Sequence, residues 1–309
     1  MLTPQHTMRH LVLLVMLVCL CASAQETYRF AERDTCALYL DIFRPDSTAQ
    51  TTYKDVDKPA IMFLFGGGFM SGSRSDANAH RWFSRLTANG YTVVAIDYRL
   101  GMKGYRMGKG LGGAMKALNR FVFSQQIGVE DVFSAVSFLA AHPELRVPAD
   151  NIVISGSSAG AIISLASAYA IANGQTYGLP EGFNFKGVMS FAGGIISKRG
   201  APKFTKAPFF HGTADRIVAY EHYGALRRGI WGSSYIASKL KKKGWNCTIW
   251  RFQDHGHDVA GYMPVMWAVE KEFLEKNVIQ GIPRQTDALV DDPSLPKWGG
   301  QGHTRDLYQ

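Results

Sequence analysis

The pentapeptide Gly156-Ser157-Ser158-Ala159-Gly160 follows the apolar run Asn151 to Ser155 and precedes a stretch rich in Ala, Ile, Leu and Ser. Two glycines around a central serine let a chain turn sharply from strand to helix, which lifts that serine clear of neighbouring bulk. Ser158 is therefore a candidate nucleophile. A hydroxyl attacks only when a base removes its proton, and the base must be oriented by an acid. Asp215, in His211-Gly212-Thr213-Ala214-Asp215, offers the carboxylate. The segment Gln253-Asp254-His255-Gly256-His257-Asp258 offers two imidazoles, and both His255 and His257 are open as the base. The run Gly66-Gly67-Gly68 lets backbone N–H groups approach a ligand closely, and with the Ala159 N–H it would stabilise a developing oxyanion. Each motif alone also fits a plain tight turn. Their company in one chain is the informative observation.

These groups are distant in sequence, Asp215 lying 57 positions after Ser158 and His257 lying 42 after Asp215, so a fold must unite them. Thr27 to Phe30 and the alternating Thr35 to Phe43 read as an antiparallel hairpin across Glu32-Arg33-Asp34. Ala60 to Phe65, Tyr91 to Asp97, Asn151 to Ser155, Gly187 to Phe191 and Pro208 to His211 are short apolar runs without alternation. Such runs suit parallel strands covered on both faces. Thr248 to Phe252 reads as a further strand before a closing helix over Pro264 to Asn277. Helical period appears at Val132, Ala135, Val136 and Leu139 and in Ala159 to Ala172, so strands alternate with helices around a mainly parallel sheet. Each candidate group then follows a strand, at the carboxyl edge where open α/β sheets place ligands.

From about Thr27 to Asn277 the chain resembles esterases of the α/β-hydrolase fold, in the carboxylesterase and lipase group. The shared features are oxyanion glycines, nucleophile elbow, acid and histidine, in that order. The resemblance implies α/β architecture with a mostly parallel eight-stranded sheet and helices on both faces. It implies Ser158 as nucleophile, Asp215 as acid, and Gly67, Gly68 and Ala159 as oxyanion donors. It favours His257 as base, because Gly256 precedes it and Asp258 follows. Cys36 and Cys247 would sit on strands too far apart to bridge. One departure stands out: Phe65 occupies the position where the group often has a histidine before its glycines, so packing would have to hold that loop. The activity implied is hydrolysis of carboxylic esters, with a short acyl group such as acetyl, on a small molecule or a carbohydrate. No cofactor is implied. A serine peptidase and a non-catalytic binding protein on the same scaffold are the competing readings.

Composition is consistent with this. The 309 residues are 46% hydrophobic and 19% charged, which excludes a disordered or coiled-coil chain. Arg9, the apolar run Leu11 to Cys21 and Ala22-Ser23-Ala24 read as a signal peptide over residues 1–24, too short to span a bilayer. The domain reading is a signal over 1–24, a catalytic domain over 25–277 and a tail over 278–309. The protein would be secreted or periplasmic, without stable membrane insertion. Removing the signal takes away one cation and no acid, so a net charge of +9 becomes +8. The surplus favours anionic surfaces or substrates at long range. Lys103, Arg106, Lys109, Lys116 and Arg120 lie between Gly101 and Gly128 without one acid in that stretch, near the expected rim of the site. No aromatic-basic interleaving of a nucleic-acid module is present, and no metal-ligand spacing recurs. His211 is expected to brace the acid loop, His255 to lie behind the site or at the surface, and Asp97 and Asp131 to be structural, with Asp131 at a helix start.

Overall fold

The computed structural model describes residues 25–45, 49, 53, 58–196, 207–225, 228–244 and 246–297. The signal segment 1–24 lies outside the described residues. Strands β1 (Glu26–Arg33) and β2 (Cys36–Phe43) form the expected antiparallel hairpin, with a register irregularity between Arg29 and Ala31. From Leu40 onward every β2 residue is buried, Asp41 included, because β2 pairs the strand Val93–Ile96 as well as β1. The apolar runs become β3 (Ala60–Leu64), β4 (Val93–Ile96), β5 (Ile152–Ser157), β6 (Gly187–Phe191), β8 (Pro208–Gly212) and β11 (Cys247–Phe252). Between them lie α1 (Ala77–Ala88), α2 (Gly110–Ala141), α3 (Ala159–Ala172) and α4 (Ser233–Lys242). A 3-10 turn (His257–Gly261), α5 (Trp267–Glu272) and a π-helical stretch (Phe273–Ile279) follow β11.

The large sheet, which ends on β12 (Gln285–Val290), runs β1-β2-β4-β3-β5-β6-β8-β11-β12, parallel from β4 to β12. Among the described residues it has nine strands rather than eight. The ninth is β12 (Gln285–Val290), which pairs in parallel with β11 inside the stretch 278–309 that reads as a tail. A second sheet, β7 (Gly194–Ile195), β10 (Arg228–Gly232) and β9 (His222–Ala225), stands apart; its order is β7-β10-β9. Cys36 and Cys247 lie on β2 and β11, six strands apart in the order, and both are free thiols; burial pushes the Cys247 thiol up to about 12.

Two differences from the sequence reading have clear physical causes. Helix α2 covers 32 residues, so Asp131 is not at a helix start but in mid-helix. It is fully buried, and its charge is answered by Arg33 and Arg99 at 3.2 and 2.9 Å. The first turns of α2 carry Gly110, Gly112 and Gly113, poor helix formers that break the apolar period, so tertiary contact must supply the stability. In α3 every residue from Ala159 to Ala168 is buried, as suits a helix packed on the sheet and on α2.

Phe191 and Phe210, paired in register on β6 and β8, stack with ring centroids 4.5 Å apart. Each ring buried here contributes roughly 1.5–3 kcal/mol. Beneath the same sheet, Glu270 of α5 is fully buried and its Oε2 accepts the Trp82 indole N–H at 2.5 Å. Its Oε1 has no partner among the described residues. Burial raises the Glu270 carboxyl well above its ordinary value, outweighing the indole bond and the charge of Arg85. The folded-state value thus exceeds the unfolded value near 4.5, so this group's contribution is complete below that pH and is lost as pH rises toward the folded value. Glu270→Gln is expected to raise the thermal midpoint by about 2–4 °C at pH 8, with the difference closing below about pH 4.5. Differential scanning calorimetry across that range measures it.

Candidate active site

Strand β5 ends at Ser157, and Ser158 takes φ +52° and ψ −115°, a left-handed conformation that is strained for any residue but glycine. Backbone hydrogen bonds hold it there. The Ser158 N–H donates to the Phe191 carbonyl at 2.9 Å, and its own carbonyl accepts the Ile162 N–H at 2.9 Å to begin α3. The turn requires small neighbours: a Cβ on Gly160 would lie 2.2 Å from the Leu64 carbonyl oxygen. Ala159 is the first residue of α3, so the helix itself offers its N–H no carbonyl.

His257 approaches Ser158 from the 3-10 turn after β11. Its Nε2 lies 2.7 Å from the Ser158 Oγ, and its Nδ1 lies 2.8 Å from the Asp215 Oδ2. An ionised carboxylate only accepts, so Nδ1 carries the ring proton and Nε2 is left to accept the Ser158 O–H. Asp215 sits on the loop after β8, with no side-chain exposure. Its Oδ1 accepts the N–H groups of Ile217 and Val218 at 2.9 and 3.1 Å. Burial by itself pushes the Asp215 carboxyl up, but hydrogen bonds from His211 and His257 and attraction to both imidazoles outweigh it. The carboxyl is held well below the usual carboxylate range.

The glycine loop after β3 meets the elbow at the same rim. Gly67 has φ +123°, and a Cβ there would lie 2.0 Å from the Ser71 carbonyl oxygen; Gly68 also has positive φ. The Gly67 carbonyl accepts the N–H groups of Met70 and Ser71, closing a tight turn. Phe65 is buried and stacks on Tyr98 with centroids 4.4 Å apart. The Tyr98 hydroxyl also donates to the Phe65 carbonyl at 2.8 Å. Packing and one phenolic hydrogen bond thus anchor the loop where a histidine could have done so.

His255, the other imidazole of the pair, is 2% exposed and engaged elsewhere. Its Nδ1 lies 2.6 Å from the Asp258 Oδ2 and 2.8 Å from the Tyr262 hydroxyl, which in turn donates to the Pro296 carbonyl. It is therefore buried behind His257 rather than at the surface. His211 does reach the acid loop: its Nε2 lies 3.1 Å from the Asp215 Oδ2. Sequence reasoning passed over Ser157, whose hydroxyl donates to the Ala260 carbonyl at 2.7 Å and ties the elbow to the turn that carries His257. It also passed over Tyr98 and Tyr262. Neither a motif nor a spacing marks these three, because their partners are set only by tertiary contact. Among the described residues no group of three or more His, Cys, Asp or Glu side chains is placed to hold a metal ion. The basic stretch is partly surface, with Lys103, Arg106, Lys109 and Lys116 exposed beside Leu111 at 81% exposure.

Comparison with known proteins bears on the family and the fold. The chain is 28% identical over 142 residues to Lipase 1 of Geotrichum candidum, which is 45% of this chain and 23% of that protein. It is 25% identical over 175 residues to Secreted lipase 5 of Gibberella zeae, 55% of this chain and 30% of that protein. The matched part thus spans less than a third of these curated relatives. Among solved structures, butyrate-bound esterase 2 of Thermogutta terrifontis superposes with a TM-score of 0.58 at 20% identity. That superposition covers 82% of this chain and 95% of the other. It establishes the α/β-hydrolase fold. The profile of the carboxylesterase family matches residues 19–176, over half the chain, which takes in the glycine loop and the elbow, and this protein belongs to that family.

Proposed function

We propose that the protein is an exported serine hydrolase that cleaves carboxylic esters. The observation that carries this reading is the unbroken hydrogen-bonded row from the Ser158 Oγ through His257 to Asp215, with a serine held in a strained, presented conformation. Ser158 attacks the ester carbonyl as His257 takes its proton at Nε2. The Asp215 carboxylate keeps the Nδ1 tautomer and stabilises the imidazolium that forms. The N–H groups of Gly67, Gly68 and Ala159 receive the charge on the carbonyl oxygen. His257 then returns the proton to the leaving alcohol, and water, activated the same way, releases the acid from Ser158. Family membership and the lipases among its relatives support ester over amide substrates. A short acyl group such as acetyl, on a small molecule or a carbohydrate, is the substrate class we assign. The secreted lipases among the relatives and the leader-like residues 1–24 support export.

A fluorophosphonate probe is expected to label the wild type and not Ser158→Ala; no labelling of well-folded wild type would favour a binding protein instead. On a panel of esters graded in acyl length, with acetylated sugars included, kcat is expected to fall about 10⁴-fold or more in His257→Ala and about 10⁴-fold in Asp215→Asn. His255→Ala should retain turnover and lose stability, by about 1–3 kcal/mol, because it strips partners from buried Asp258 and Tyr262. The reverse pattern would make His255 the base. Tyr98→Phe leaves the Phe65 carbonyl without its phenolic donor. It is expected to lower kcat by about tenfold with KM little changed, as befits a donor loop used in the transition state.

A further inference from the structure

The first half of α2 and the loop before it carry charge that neither the fold nor the reaction uses. From Tyr98 to Val129 the chain has no acid. Arg99 in that stretch is held by Glu130 and Asp131, but among the described residues Lys103, Arg106, Lys109, Lys116 and Arg120 form no ion pair. Arg120 lies over the Phe123 ring instead, at 5.1 Å. A helix start favours acids and a capping side chain. Here the N-cap is Lys109, its side chain makes no cap hydrogen bond, and the first turn holds Gly110, Gly112 and Gly113 with no acid. Each of these choices lowers local helix stability. Folding therefore does not account for them.

The same face exposes apolar side chains. Gly112, Lys116, Asn119 and Phe123 recur at i, i+4, i+7 and i+11 and are exposed, while Gly113, Ala117, Phe121 and Ser124 turn inward and are buried. Leu111 and Phe123 are both exposed, about 18 Å apart along the helix, with Lys116 and Arg120 between them. The buried side fastens this segment to the glycine loop. Phe121 meets Phe69 edge-on with centroids 6.4 Å apart, and the Met102 N–H donates to the Phe69 carbonyl at 2.9 Å. Phe69 directly follows Gly68, so the basic face lies beside the rim of the candidate site.

We propose that this face docks the protein on an anionic lipid surface, its five cations meeting headgroup phosphates while Leu111 and Phe123 enter the acyl boundary. The contact is peripheral and reversible. Each lysine or arginine at such a surface strengthens binding about fivefold. The two apolar side chains decide the class of partner, because a soluble polyanion offers matching charge but no apolar phase to take Leu111. The first acid on the exposed stripe is Glu130, two turns beyond Phe123 and already paired with Arg99, so it leaves the five cations unneutralised. The inference goes beyond the hydrolase reading and does not depend on it.

Sedimentation of the exported protein with lipid vesicles tests it. At about 0.1 M salt the protein is expected to sediment with vesicles containing phosphatidylglycerol and not with phosphatidylcholine alone, and to be largely released at about 1 M salt. Combining Lys103→Gln, Lys109→Gln and Lys116→Gln is expected to weaken partitioning about a hundredfold. Leu111→Gln with Phe123→Gln is expected to weaken it about tenfold. Lys241→Gln, Lys242→Gln and Lys243→Gln together remove the same charge from the end of α4 and are expected to leave binding nearly unchanged. Every altered side chain is exposed, and unchanged thermal midpoints confirm that the variants fold. Equal sedimentation with neutral vesicles, none with either kind, or equal loss in the two lysine triples overturns the proposal. Dextran sulfate binding as tightly as the vesicles, with the Leu111 and Phe123 changes without effect, assigns the face to a soluble polyanion and overturns it as well.

Discussion

The buried charge of Asp215 is the constraint around which the rest of the site is arranged. A carboxylate with no exposed side chain is costly unless each oxygen is well supplied with donors. Here Oδ1 takes two backbone N–H groups from the loop after β8, and Oδ2 takes an imidazole from β8 itself and another from the turn after β11. The arrangement works only if β8 and β11 are neighbours in register, and they pair in parallel from Pro208 and Thr248 to Gly212 and Phe252. Backbone polarity, sheet topology and side-chain charge therefore converge on one oxygen pair.

Strain at Ser158 is the second element of the design. Its positive φ is sustained by the Phe191 carbonyl on one side and the first turn of α3 on the other. The chain approaches so closely at Gly160 that only a hydrogen fits against the Leu64 carbonyl, and this brings the elbow against the end of β3, where the glycine loop begins. Ser157 then fastens the elbow to the turn bearing His257 through the Ala260 carbonyl. Elbow, glycine loop and histidine turn are thus held to one another directly, not only through the sheet. A constellation held this way needs little reorganisation when a substrate arrives.

Much of the scaffold was legible because its signals are local. Continuous apolar runs such as Ala60 to Phe65 and Gly187 to Phe191 announce strands covered on both faces, and the alternation from Thr35 announces a hairpin. Less was legible where stability comes from elsewhere in the molecule. The first half of α2 has glycines and cations in place of an apolar stripe, and β12 in the stretch after Val278 alternates only between exposed and half-buried. The three-stranded sheet β7-β10-β9 rests on glycine-rich segments whose pairing partners are set by the fold. Asp131 is the instructive misreading: a carboxylate near a periodic stretch suggests a helix start, whereas Arg33 and Arg99, from distant segments, allow it to be buried in mid-helix.

Motif order and the types of the candidate groups were determined by the sequence alone: a serine between glycines, a glycine run before it, an acid and a histidine pair after it. The sequence could not choose between His255 and His257 on spacing, since two residues apart both can reach the same rim. Tertiary structure separated them, because Asp258 and Tyr262 capture one ring while the Ser158 Oγ and Asp215 face the other. It alone showed how Phe65 can stand before the glycine loop, by stacking on a tyrosine whose hydroxyl reaches back to the Phe65 carbonyl. It alone placed His211 beside the acid as well. Residue identity sets which protons a group can give or take, but only the surrounding acceptors, brought together by folding, decide which of those protons it keeps.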